Sequence, residues 1–304
     1  MALRDQLIRV SIGALLAVNI YFATVRPCTS AEGAVYDRFA SHTLLDLWKS
    51  PLDPRLGLTY GVLARLATRV GGVSELTIRI PALLGGLLFW IGLSDWCRRL
   101  RGWWAVLAFL AITANPWTFR AFSAATGAAL ALGLLVTATR IFGKSPNAAS
   151  ILMGLAIGSD AVVAIPAIAA SAVVTLTLRM KVWKWVDELL LPGLLAGLFL
   201  LLPALLIREK PIAAATNDSG TRQLIQLLKQ QHHGAESVAV GVSPAIKPGL
   251  VFYRRRYHLD WIHIADSGRK DAPWFILSES DRVTLAKLGL RVSETAPGVV
   301  LAIH

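Results

Sequence analysis

From Ile80 to Thr139 the chain passes through three apolar stretches that carry almost no charge and are each closed by arginine. Residues 80–97 contain only Asp95 and end at Arg98-Arg99-Leu100-Arg101, residues 103–119 are uncharged and end at Arg120, and residues 121–139 are uncharged and end at Arg140 and Lys144. Such stretches offer water no polar face, and short basic clusters at their ends are how inner-membrane proteins mark the cytoplasmic border. Composition agrees: 55% hydrophobic and 16% charged residues over 304, with a mean hydropathy of +0.55, are too apolar for a soluble domain of this length. The net charge of +12 does not point to nucleic acid, because Lys and Arg gather at the ends of apolar runs rather than along one polar face.

Further runs extend the pattern. Residues 10–25 follow Arg4 and Arg9 and read as a retained anchor rather than a cleaved signal peptide, since no A-x-A site follows and Val25-Arg26-Pro27-Cys28 is a poor lipobox. Asn115-Pro116 marks the tip of a helical hairpin. Residues 148–178 are broken at Gly158-Ser159-Asp160, because a lone Asp is costly in lipid, and residues 189–207 form a last run. The expectation is an α-helical polytopic membrane protein of about seven spans. Residues 1–207 make the transmembrane module and residues 208–304 a small α/β domain. The charge bias puts the amino terminus in the cytoplasm of a bacterial-type inner membrane, with loop 26–79 and the carboxyl-terminal domain outside. A single tilted span over 148–178 would instead move the tail to the cytoplasm.

Loop 26–79 is where the polar chemistry lies, with Glu32, Asp37, Arg38, His42, Asp46, Asp53, Arg55 and Arg79. Inside it Leu56, Tyr60, Leu63, Ala67 and Val70 recur at helical steps, with Arg65 and Arg69 off that face. This describes a helix lying on the membrane surface or packed on protein. Cys28 and Cys97 fall on opposite sides of the membrane, too few and too far apart for a disulfide framework. The tail reads as a helix at 221–230, strands at 237–242 and 274–277, a helix at 281–288 and a strand at 298–303. Arg254-Arg255-Arg256 reads as a solvated basic edge or as a contact for lipid or sugar phosphate. His232-His233, His258 and His263 lack metal-ligand spacing. Gly85-Gly86 fits close helix packing, and neither a Gly-rich phosphate loop nor an inverted repeat is present.

Three stretches carry a family resemblance. Ser30-Ala31-Glu32-Gly33-Ala34-Val35-Tyr36-Asp37 is similar to the Asp-Glu-containing first outer loop of the GT-C type membrane glycosyltransferases, the group of the protein O-mannosyltransferases and bacterial aminoarabinose transferases. Pro51-Leu52-Asp53-Pro54, leading into Leu58-Thr59-Tyr60-Gly61, resembles the proline-rich stretch before their surface helix. Gly71-Gly72-Val73-Ser74-Glu75-Leu76-Thr77-Ile78-Arg79-Ile80-Pro81-Ala82 resembles a G-x-S-E-x-x-x-R-x-P signature that opens their second span. In the tail, Phe252-Tyr253-Arg254 and Leu259-Asp260-Trp261 are similar to the outer domains of some members.

The resemblance implies a seven-helix module that transfers a sugar from a polyprenyl-phosphate donor to an acceptor outside the membrane. A loop carboxylate would take the acceptor proton while cations hold the phosphate leaving group. Carried over by position, Glu32 and Asp37 are the candidate catalytic carboxylates, the family's first Asp being replaced by Ala31. His42, Asp53, Arg55, Arg79 and Arg120 are candidates for substrate binding. Glu32 paired with Arg38, and Arg79 paired with Glu75 four residues earlier, are the structural alternatives. No resident cofactor is implied beyond the lipid-linked donor, with room for a divalent metal. The expected partners are membrane lipid, the lipid-linked sugar and a membrane protein, and not nucleic acid. An inactive relative that binds a lipid-linked sugar or a partner enzyme is the other reading that the Ala31 departure keeps open.

Overall fold

The computed structural model describes residues 2–40, 57–98, 100, 103–142, 144–165, 168–169, 220–231, 237–266, 272–278, 281 and 289–303. The expected span at 189–207, the helix at 282–288, Asp46 and the Pro51 stretch lie outside these residues.

Helix α1 runs from Ala2 to Val25, a full turn or more longer at its start than the uncharged run. After a short helix α2, Ser30–Val35, the chain makes a π-helical segment over Tyr36–Ala40. Helix α3 spans Leu58–Gly71, and Gly72, at φ +74°, ends it in the left-handed region that only glycine enters without strain. Ser74 then caps α4, Glu75–Cys97, through a reciprocal capping box with Thr77. Next come α5, Trp104–Thr113, α6, Pro116–Ser123, α7, Gly127–Ile141, and α8, Pro146–Ile157.

At 1.5 Å per residue α4 is about 35 Å long, enough to cross a bilayer. It is the centre of the bundle, with α1 and α7 packed along it. Gly85 of α4 and Gly133 of α7 meet backbone to backbone: a Cβ on Gly85 would overlap the Ala129 carbonyl, and one on Gly133 the Gly85 carbonyl. That contact, with Gly86 facing the Phe122 ring, explains the glycine pair without any ligand. The hairpin expected at Asn115-Pro116 is wider than a turn. α5 stops at Thr113, α6 intervenes, and α7 starts only at Gly127.

Two ends of the bundle can be told apart by their charges. At one, Asp5 meets Arg98, Asp95 meets Arg98 and Arg140, and Arg4 donates to the Leu100 carbonyl. This basic end also exposes Trp96, Trp103 and Trp104. At the other end α8 stops at Gly158-Ser159, whose carbonyls accept from the Thr59 and Gly57 amides at the start of α3, and Asp160 caps the following turn at Val163. The expected break at Asp160 is therefore a helix terminus closed by another helix's amides.

Helices α1 and α4 are long and apolar enough to span a membrane, and α5, α7 and α8 are shorter apolar helices. α1 is covered by protein along little of its length, whereas α4 is mostly enclosed.

The carboxyl-terminal part holds helix α9, Thr221–Gln231, strand β1, Val238–Val242, helix α10, Lys247–Arg256, and strands β2, Ile262–Asp266, β3, Trp274–Ser278, β4, Arg291–Ala296, and β5, Val299–Ile303. The sheet order is β2-β1-β3-β5-β4, parallel across β2, β1 and β3 and antiparallel across β3, β5 and β4. The fully buried runs Phe275–Leu277 and Val299–Ala302 form its centre. One apolar core continues from this domain into the bundle, taking in Phe252, Leu250, Val35 and Phe39.

Candidate functional site at the loop end

Thr29 starts α2 with a capping box in which its hydroxyl accepts from the Glu32 amide and its own amide donates to the Glu32 carboxylate. The cap aims that carboxylate inward, at Arg79 one turn into α4. Nε of Arg79 donates to Oε1 at 2.8 Å and Nη2 to Oε2 at 2.6 Å, a bidentate pair with both side chains at most 5% exposed. The Ala125 amide, in the turn before α7, donates to Oε1 at 2.7 Å. The other Arg79 hydrogens go to the carbonyls of Ala23, Arg26 and Pro27 at the end of α1.

All five N–H groups of Arg79 thus have acceptors, and Glu32 accepts at both oxygens from three separate parts of the chain. A pair so enclosed fixes the ends of α1, α2, α4 and α7 to one another. Proton abstraction by Glu32 would require one of those bonds to open.

The partners expected from short sequence spacing are different here. Arg79 does not pair with Glu75, nor Glu32 with Arg38. Glu75, 1% exposed at the first turn of α4, instead faces Arg256 of α10 in direct contact and Arg222 of α9 at 3.9 Å. The S-E-x-x-x-R spacing therefore sends two neighbouring turns of one helix to two different places, the carboxyl-terminal domain and the loop.

That domain seats on α2. The Tyr253 hydroxyl accepts from the Cys28 amide at 2.7 Å, Tyr36 and Phe252 pack edge to face at 5.6 Å, and a Cβ on Gly33 would overlap the Pro248 carbonyl. Burial raises the Tyr253 phenol well above its usual range, with the neighbouring Cys28 adding to it. Tyr36 is also raised, burial outweighing the Arg255 guanidinium that hydrogen-bonds to it and favours the phenolate. The basic run at 254–256 is consequently neither a solvated edge nor a phosphate contact along its whole length: Arg256 grips Glu75 and Arg255 reaches Tyr36.

Asp37 and Arg38 sit on the π-helical segment, half-buried and each engaged in polar contacts. Arg120 is exposed on α6, and no contact brings it to Glu32 or Asp37. Its neighbour Ser123 is buried and accepts from Arg26 at 3.4 Å. His42, Asp53 and Arg55 lie outside the described residues. Among the described residues no three His, Cys, Asp or Glu side chains gather as a metal site requires. Cys28 and Cys97 are buried and unbridged, one at each end of the bundle.

The buried face of helix α3 is rotated from the expected one: Tyr60 stays inside and Arg69 outside, while Arg65 turns inward and Val70 outward. Gly61, Ala64, Arg65 and Thr68 are buried with Tyr60, whose hydroxyl donates to the Ile78 carbonyl at 2.8 Å, while Leu66 is 54% and Val70 91% exposed. The Phe39 ring lies where a Cβ on Gly61 would be, so the glycine lets the π-helical segment approach and carries Arg65 inward with it.

Comparison with family models finds no match to this chain, and comparisons with curated proteins and with solved structures find none either.

Proposed function

We propose that this chain is a membrane-embedded subunit of GT-C-like organisation that binds a polyprenyl-phosphate-linked sugar, or the enzyme that uses one, without itself transferring the sugar. The observation that carries this reading is the closed Glu32–Arg79 pair. The loop carboxylate nearest the family motif is occupied by donors from Arg79, Ala125 and Thr29, and Ala31 stands where the first acid of the family's pair would be. The bundle would sit in a bacterial-type inner membrane with its basic end cytoplasmic and its loop end and carboxyl-terminal domain outside. The exposed tryptophans at the basic end and the protein-poor surface of α1 support that placement.

One observation favours the transferase reading as a second. Asp37 lies on a π-helical segment, a geometry that recurs at functional sites, and is half-buried rather than enclosed. In this form Asp37 is the base and Glu32 holds the loop.

The test uses the full chain in lipid nanodiscs with a labelled polyprenyl-phosphate sugar. Saturable binding without release of the sugar to hydroxyl acceptors supports the subunit reading. Turnover that disappears in Asp37→Asn and survives in a folded Glu32→Gln supports the second. Absence of both binding and turnover sinks the two together.

A further inference from the structure

Arg65 is 5% exposed, yet its Nε and Nη1 have no hydrogen-bond partner among the described residues. A guanidinium taken out of water normally brings its acceptors with it, as Arg79 does with five. The described segments packed on α3 leave Arg65 unserved: Phe39 faces Gly61, Tyr60 bonds Ile78, and the Thr68 hydroxyl turns back to the Arg65 carbonyl. The unmet requirement is for an anion with two acceptor oxygens, which a planar fork takes side by side.

Position selects the kind of anion. At 100° per residue Arg65 and Arg69 stand one turn apart along a seam of α3. On one side of the seam are the buried Gly61, Ala64 and Thr68, and on the other the exposed Leu66 and Val70. A helix that turns Leu66 and Val70 outward while holding a cation at the edge of its buried face suits the boundary between hydrocarbon and headgroups. Lipid phosphates lie at that depth.

We propose that Arg65 is a phosphate-binding group, donating its Nε and Nη1 hydrogens to the phosphate oxygens of a membrane lipid at the seam between α3 and the bundle, with Arg69 as the outer cation. This deepens the lipid-linked sugar reading, and rests on it only for the identity of the lipid as a polyprenyl phosphate.

The experiment measures binding to the full chain, wild type and Arg65→Gln, in phosphatidylcholine nanodiscs. Three probes are used: a long-chain polyprenyl phosphate, phosphatidylglycerol and inorganic phosphate. The expected result is saturable polyprenyl phosphate binding that weakens at least about tenfold in R65Q, since a charge-assisted hydrogen-bond pair is lost, with R65K, which keeps the charge and loses the fork, falling between. If phosphatidylglycerol shows the Arg65 dependence and polyprenyl phosphate does not bind, the anion site stands and the sugar-donor reading fails. If inorganic phosphate alone shows it, the site takes a free anion and the lipid assignment is overturned. Equal polyprenyl phosphate affinity in wild type and R65Q leaves the donor reading intact and removes Arg65 from it. Should R65Q not fold, a diazirine-bearing polyprenyl phosphate is cross-linked to the wild type and digested. Label in the peptide carrying residues 58–71 supports the site, and label only elsewhere overturns it.

Discussion

Arg79 and Glu32, 47 residues apart, close on each other through two hydrogen bonds of 2.8 and 2.6 Å in a space that admits almost no solvent. Removing one partner strands the other's charge, which costs about 3–5 kcal/mol when the pair is buried. Arg79→Met should lower stability by that amount, measured by denaturant titration in detergent. Arg79→Lys keeps the charge but loses the fork and should fall between. An Arg79→Met protein as stable as wild type would mean the pair is not closed in the membrane.

Docking of the carboxyl-terminal domain depends on close approach at Gly33, where a side chain would run into the Pro248 backbone. Gly33→Val should free the domain and make the chain between the bundle and α9 open to limited proteolysis. Glu75→Gln should do the same more weakly, by releasing Arg256 and Arg222. Cleavage patterns identical to wild type in both variants would refute the interface.

Tyr253 and Tyr36 give the docked state a pH limit. Their folded pKa values lie above the ordinary tyrosine value of 10.0, chiefly through burial. The undocked chain therefore ionises first, and stability that is complete below pH ~10 is lost as pH rises beyond it. Melting temperature should fall above that pH, and in Tyr253→Phe the part of the fall due to this residue should vanish. That variant also leaves the Cys28 amide short of an acceptor, a cost of about 1–3 kcal/mol at neutral pH.

Loop end and basic end are separated by the length of α4, so they should lie on opposite sides of the membrane. Lys229→Cys on α9 and Lys144→Cys before α8 are both exposed. In intact cells a membrane-impermeant thiol reagent should label the first and spare the second. Equal labelling would remove the membrane placement, and the reverse pattern would invert the orientation.

Elements of one period were legible in the sequence, and partners across the chain were not. The apolar runs gave α1 and α4, and alternation placed strands β1, β3 and β5 within a residue or so of their observed ends. β2 and β4 were missed because neither carries a buried run: Ile262–Asp266 buries only its first residue, and Arg291–Ala296 is exposed along almost its whole length. Helix α10 was missed since its Lys-Pro-Gly start and Arg-Arg-Arg end look like loop chemistry. Spacing rules supplied Glu75 as the neighbour of Arg79, whereas a capping box 47 residues upstream supplied the real one. Helical spacing put Arg65 off the apolar face, and the glycine at 61 that brings it close to the Phe39 segment leaves no periodic mark.

The most direct test of the central claim, that Glu32 holds the loop end together rather than moving a proton, is a paired measurement on Glu32→Gln. Stability is read by thermal melting, and donor binding and transfer are read in nanodiscs. The account predicts that the melting temperature falls, and that donor binding is lost only to the extent that the protein unfolds. A Glu32→Gln protein that melts with the wild type while its sugar transfer is abolished would contradict it.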